Sequence, residues 1–263
     1  MNKVLLLNPP VFTEETYGKF AKVGSTQPFL GICYLAAVLK KNGFKVKILD
    51  TILLKMPPVE ILSNIEDFRP EIVGITVTTL SSPKALDIAK RIKERFPEIM
   101  IVVGGPHISE YTKAFFLEGN FDVAVLGEGE WTFLELTKAI LNKTSLDKID
   151  GIMFKEKSFG KLIVTKTRNY EKNLDNIPFP ARELLPPLHL YRPSALYHKR
   201  IPVTQMFTSR GCPAQCIFCE TPFGKTVRYH SPGYVVEEME MLKRDYGIRE
   251  IMINDDTFVI DKK

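Results

Sequence analysis

Cysteine is scarce in this chain, with four residues in 263, and three of the four fall between positions 212 and 219. Also missing is any apolar run near the roughly 20 residues that a membrane-crossing helix needs. The start, "MNKVLLLNPP", breaks its short apolar stretch at Asn8 and two prolines. A secretory signal needs an apolar region of about 7 to 15 residues, so this segment reads as a first strand. A cytoplasmic protein without a membrane span is expected, and thiols in that compartment stay reduced. Four cysteines, one of them alone at Cys33 in a helical pattern, do not make a disulfide framework. Cys33 reads as a small buried apolar residue. A basic stripe is lacking as well. The formal charge is +5, but lysines and arginines are interspersed with acids, and the densest cluster is "HKR" at 198–200. Nucleic acid is not an expected partner.

What the chain does have is alternation. "KVLLLN", "KVKILD", "EIVGITV", "IMIVVGG" and "FDVAVLG" are short apolar runs of the kind buried on both faces of a parallel sheet. Between them lie helical patterns: "LGICYLAAVLKKNG" with its Lys-Lys-Asn-Gly stop, "PVEILSNIEDFRP" closed by Pro70, and "PKALDIAKRIKERF" opened by Pro83. "EWTFLELTKAIL" follows the fifth run. The expected fold is α/β, a Rossmann-like, doubly wound parallel sheet over residues 1–145. "GIMFKE" and "KLIVTK" then suggest a β-hairpin closing this domain, with "KSFG" between them. Residues 173–202 hold six prolines and no periodicity, so 146–202 reads as hairpin plus linker. From 203, "PVTQMFTS" restores a strand, "GYVVEEMEMLKRDYG" a helix and "REIMIN" another strand.

Open α/β sheets bind ligands beyond the C-terminal ends of their strands. The glycine-rich G-x-G-x-x-G of a dinucleotide site is absent after the first strand, where "NPPVF" stands, so that mode of binding is rejected. A long polar loop through Gln27 follows instead. The third strand ends in hydroxyls (Thr76, Thr78, Thr79, Ser81, Ser82), the fourth in Gly104, Gly105, Pro106 and His107, and the fifth in Gly127, Glu128, Gly129 and Glu130. Such ends would make a flat, wide cleft for a large planar ligand. Each also has a plainer reading, as turn glycines, helix caps and first-turn acids.

Cys212, Cys216 and Cys219 are spaced C-x3-C-x2-C. Structural zinc takes four ligands, and the fourth would have to be His198, Glu220 or His230, none of them in a second close pair. A four-iron cluster held by three thiolates keeps one iron open.

"QPFLGICYLAAVLKKNGFKVKILD", "VGITVTT", "IVVGGPH" and "DVAVLGEGEWTFLEL" together resemble the cobalamin-binding domain of the cobalamin-dependent radical S-adenosylmethionine (SAM) family. The cysteine turn, with Phe218 just before its last cysteine, resembles that family's cluster loop. "VRYHSPGYVVEEMEML" and "IMINDDTFVID" resemble the first helix and second strand of its barrel. The resemblance implies that Thr76, Thr78, Thr79, Ser81, Gly104, Gly105, Pro106, His107, Gly127, Glu128, Gly129 and Glu130 cradle cobalamin. It implies a [4Fe-4S] cluster on Cys212, Cys216 and Cys219, with SAM on the open iron, near Phe218, Asp255 and Asp256. The plainer reading of the two aspartates is a cap or turn. An electron donor such as ferredoxin or flavodoxin is implied too, for reductive cleavage of SAM in methyl transfer or ring formation on a small-molecule substrate.

Three features depart from the family or narrow it. The D-x-H-x-x-G signature of a cobalt-ligating histidine is absent, so His107 is expected as a loop contact or structural residue. A lone Cys33 in the first domain argues against a tRNA methylthiotransferase. Residues 203–263 hold only about 60 of the roughly 200 residues of a partial barrel, so a fragment or a truncated relative is expected, with a labile cluster and no turnover alone. The alternatives kept open are a non-catalytic cobalamin-binding module and a zinc-stabilised α/β interaction protein.

Overall fold

The computed structural model describes all residues except 1, 13, 16, 17, 20–24, 111, 157–159, 195, 220, 221, 259 and 261–263. Strands β1 (Lys3–Leu7), β2 (Lys45–Leu49), β3 (Ile72–Thr76), β4 (Met100–Gly104) and β5 (Val123–Val125) run parallel. With β6 (Ile152–Lys155) and β7 (Leu162–Val164) they form one sheet in the order β2-β1-β3-β4-β5-β6-β7. Side chains alternate between faces along each strand. Leu6, Val102 and Val125 meet α1 (Leu30–Lys41) and α6 (Glu130–Asn142) on one side. Leu5, Leu7, Val73 and Ile101 meet α2 (Pro58–Phe68) and α3 (Ser82–Arg95) on the other. Both faces are covered, which is why the strands read as unbroken apolar runs.

Helix ends follow local chemistry. Pro58 and Pro83 sit in the first turns of α2 and α3, where a missing N–H costs nothing. Lys40 and Lys41 close α1, next to its exposed carbonyls. Two short helices that the sequence pattern did not announce, α4 (Pro106–Glu110) and α5 (Thr112–Glu118), lie between β4 and β5. Phe115 and Phe116 from α5 are buried against Phe121.

The hairpin does not stand outside the sheet. β6 pairs antiparallel with β5 and β7 with β6, so the sheet continues past residue 145 to Val164. Most of the "KSFG" turn lies outside the described residues. The proline-rich segment is irregular but buried: Leu174, Ile177, Leu185, Leu188 and Tyr191 join the core on the α1 side. The amide of Ala181 donates to the carbonyl of Cys33 at 3.0 Å.

Beyond it, β8 (Val203–Met206) pairs in parallel with β11 (Glu250–Ile253) through the crossover helix α7 (Pro232–Tyr246). Ser231 caps α7 by accepting from the Tyr234 amide at 3.2 Å, and Gly247 ends it in the left-handed region. Leu242 and Ile248 enter the same core as α1. This two-stranded unit therefore packs on the large sheet's helical layer. A two-residue ribbon, β9 (Ser209–Arg210) with β10 (Arg228–Tyr229), closes the cysteine loop.

Candidate functional site

The ends of β3 and β4 are laced together. Val77 donates to Gly104 O at 2.8 Å and His107 to Val77 O at 3.1 Å. Gly105 has φ +103°, and a Cβ there would lie 2.7 Å from Val77 O, so no other residue fits without backbone movement. Below these loops is an apolar slot of about 280 Å3 between the sheet and the α1/α6 layer. Leu6, Ile32, Leu35, Gly74, Val102 and Phe133 line its depth; Gly104, Gly105, Pro106 and the Gly127–Glu130 loop line its rim. A Cβ on Gly74 would come within 2.6 Å of Leu6 Cδ2 and 3.2 Å of Phe133 Cζ.

A wider cleft of about 540 Å3 adjoins the slot and shares Gly31, Thr76 and Pro106 with it. One wall carries Thr26, Asp50 and Thr78; the other carries Gln205, Phe207 and Asn254 from the ends of β8 and β11. Asp50 is buried and accepts from Asn8 Nδ2 (3.2 Å), the Leu53 amide (3.1 Å) and the Tyr191 hydroxyl (2.7 Å). Burial, reinforced by Asp50, raises the Tyr191 hydroxyl above its ordinary pKa.

Some residues singled out in the sequence have partners of their own. Thr78 and Ser81 bond each other, Oγ1 to Oγ at 3.1 Å, and Ser81 Oγ also receives the Thr78 amide at 2.9 Å. That is the turn reading of these hydroxyls. His107 is buried, 3.3 Å from Thr79 Oγ1 through Nδ1 and edge-on to Phe115 with centroids 4.7 Å apart. Desolvation lowers its pKa, and it lines neither cavity.

The cysteine loop is fixed at its base. Gly211 has φ +96°, and a Cβ would meet Thr226 O at 2.4 Å. The Cys212 amide donates to Gly224 O at 3.1 Å. The Thr257 hydroxyl donates to Cys212 Sγ at 2.9 Å, and that bond, with the Ala214 amide, lowers the thiol pKa. Cys216, Phe218 and Cys219 are exposed. Among the described residues no three His, Cys, Asp or Glu side chains converge on a point that could hold a metal ion. Three closely spaced thiols are donors of the kind that a cluster takes. Cys33 is buried, and burial pushes its thiol up to about 12.

Asp255 and Asp256 are tied to this loop. Asp255 accepts from the Thr208 amide (2.7 Å), the Thr208 hydroxyl (2.5 Å) and the Ser209 hydroxyl (2.8 Å), and Asp256 from the Gly211 amide (3.1 Å). They hold the strand-to-loop turn that leads into the cysteines, through residues 45 to 47 positions away. The zinc candidates are engaged as well: His230 Nδ1 is 3.1 Å from Asp175, and His198 Nδ1 is 3.1 Å from Ser194 O. Glu220 lies outside the described residues.

The charges that join slot and loop leave no trace in the local sequence pattern. Arg210 Nη1 and Nη2 donate to Glu128 (3.2 Å) and Glu130 (2.7 Å); Arg228 donates to both oxygens of Glu128 at 2.8 and 2.9 Å. All four side chains are at least nine-tenths buried. Burial works against the Arg210 charge, but Glu130 and Glu128 outweigh it and raise its pKa. Partners 80 and 100 residues apart leave no local signal.

With this arrangement in view, the relatives are informative. Residues 19–137 match the B12-binding domain family. An uncharacterized methyltransferase of Pyrococcus horikoshii is 38% identical over 99% of this chain and 55% of its own length. The cytidylyl-2-hydroxyethylphosphonate methyltransferase of Streptomyces wedmorensis is 31% identical over 98% of this chain and 55% of its own. The chain belongs to the cobalamin-dependent radical SAM protein family. It spans about half the length of the curated relatives it matches. The cobalamin-dependent S-adenosylmethionine radical enzyme OxsB, solved with aqua-cobalamin and SAM bound, shares the fold: TM-score 0.79, 21% identity, 98% of this chain and 34% of that one. No helix among the described residues is long and apolar enough to cross a membrane.

Proposed function

We propose that this chain carries cobalamin across the ends of β1–β5 and a [4Fe-4S] cluster with SAM at the cysteine loop, for methyl transfer or ring formation on a small molecule. One observation carries the reading: Pro222 and Phe223, from the cysteine loop, form part of the wall of the apolar slot. A slot open beneath glycine-rich strand ends suits the flat heterocyclic base of the cofactor's nucleotide tail. The adjoining cleft suits a wider ring system.

In this reading Gly104, Gly105 and Pro106 allow the backbone to approach the cofactor, and Leu6, Ile32, Val102 and Phe133 exclude water from its base. Cys212, Cys216 and Cys219 supply three thiolates, Cys212 with its pKa already lowered. Such a cluster would supply the electron that cleaves the SAM sulfonium, and cobalamin a carrier for a methyl group. Asp255 and Asp256 hold the loop in place, and a ferredoxin- or flavodoxin-type donor would provide the electrons. Because Cys216 and Cys219 lie exposed on the loop, a cobalamin-binding module without turnover is the second reading.

Hydroxocobalamin titrated into the chain, followed by absorbance, tests the first part. Anaerobic addition of iron and sulfide, with the 400-nm region and iron content followed, tests the second. A folded chain that changes neither spectrum would refute both readings.

A further inference from the structure

Glu128 and Glu130 stand on the rim of the slot, where the family resemblance makes them cofactor contacts. Their bonding says otherwise. Glu128 Oε1 accepts from Arg210 and Arg228, and its Oε2 from Arg228 and the Glu171 amide at 3.2 Å. Four donors saturate a carboxylate. Glu130 Oε1 accepts from Arg210. A cofactor amide competing for the Glu128 oxygens or for Glu130 Oε1 would displace guanidinium donors from buried carboxylates, which is unfavourable.

The two arginines are directly opposed across β9 and β10, the ribbon that closes residues 211–227. The rim glutamates therefore grip both ends of the cysteine loop at once. The Arg210 guanidinium also lies between two rings, 5.2 Å from Tyr34 on α1 and 5.1 Å from Phe223. Phe223 belongs to the cysteine loop yet forms part of the slot wall. Anything filling the slot touches Phe223 on one side and the loop bearing both glutamates on the other.

We infer that Glu128 and Glu130 are positioning residues that couple occupancy of the slot to the conformation of the cysteine loop. The inference rests on the cobalamin reading of the slot. Filling the slot holds the described parts of the loop, 211–219 and 222–227, more tightly, and by thermodynamic reciprocity a tighter loop strengthens binding in the slot. The glutamates are not cofactor ligands.

The test is hydrogen–deuterium exchange of the whole chain with and without saturating hydroxocobalamin, beside an absorbance titration of affinity. In the wild type, saturation should slow exchange across 211–227 by about fivefold or more, the lower end of ordinary coupling. Glu128→Gln/Glu130→Gln should still bind hydroxocobalamin, weakened by no more than the factor by which ligand slows exchange in the wild type, and its 211–227 exchange should no longer respond. The ligand-induced difference is the decisive readout, because a merely structural role changes the absolute rate and not that difference. Undiminished protection in the double variant overturns the coupling. So does a loss of affinity larger than the wild-type protection factor, because the excess makes the glutamates ligands. Should the double variant fail to fold, Glu128→Gln alone decides, because Glu130 still pairs with Arg210. Ligand-induced protection undiminished there overturns the inference. A folded wild type that binds no hydroxocobalamin refutes the cobalamin reading and the coupling together; binding without loop protection refutes the coupling alone.

Discussion

Arg182 Nη1 donates to Glu238 Oε1 at 2.6 Å, and neither side chain has any exposed surface. The pair ties the proline-rich segment to α7, and Arg182 Nη2 also donates to Gln205 O on β8 at 2.9 Å. Burial raises the Glu238 carboxyl, with Arg182 pulling the other way. Arg182→Met should therefore destabilise the fold by about 3–5 kcal/mol, the cost of an unpaired buried charge. In that variant the Glu238 pKa rises further. A folded-state pKa above the unfolded value means that the folded state holds the extra proton, so stability falls as pH rises through the window between them. Urea unfolding should show a smaller defect at pH 5 than at pH 8. A defect equal at both would contradict this, and Arg182→Met/Glu238→Leu should recover most of the loss.

Gly74 offers a second test. A Cβ there reaches Leu6 and Phe133 in the slot, so Gly74→Val should cost about 1–3 kcal/mol by overpacking. It should also weaken cobalamin binding. Cobinamide, which lacks the nucleotide tail, should bind variant and wild type alike. An equal loss for both ligands would show that the slot does not take the tail's base.

His107 is predicted to be a bystander to cobalt. It packs on Phe115 and lines neither cavity. EPR of the reduced cob(II)alamin complex should be the same for wild type and His107→Ala. Nitrogen hyperfine splitting present only in the wild type would make His107 a ligand.

Anaerobic reconstitution should give about four irons per chain, as a [4Fe-4S] cluster requires. Cys33→Ala should not change that number, because its thiol is buried and its pKa high. Cys216→Ala should abolish it. Because Cys216 and Cys219 are exposed, the absorbance should bleach quickly in air. Stoichiometric zinc without iron uptake would favour a structural metal instead.

The parallel sheet was legible because strands buried on both faces must be written as apolar runs, as "KVLLLN" and "EIVGITV" are. Strand-end glycines were legible because Gly105 has no substitute at its backbone angle. The short α4 and α5 were not, since five to seven residues carry too little periodicity to distinguish them from a loop. Arg182, Arg210 and Arg228 carry no mark in the sequence that sets them apart. Nothing local distinguishes a solvated arginine from one buried against a glutamate 56 to 100 residues away. Asp50 and Tyr191, 141 residues apart, were hidden for the same reason.

The direction of these long-range pairs sets an order of assembly. Glu128 and Glu130 are synthesised well before Arg210 and Arg228, and α1 before the Leu242 and Ile248 that pack into its layer. Domains form from the N-terminus during translation. The sheet is thus laid down before the ribbon emerges from the ribosome, and the cysteine loop docks onto it afterwards. Cys212, Cys216 and Cys219 are therefore brought up against a layer whose residues precede them in the chain.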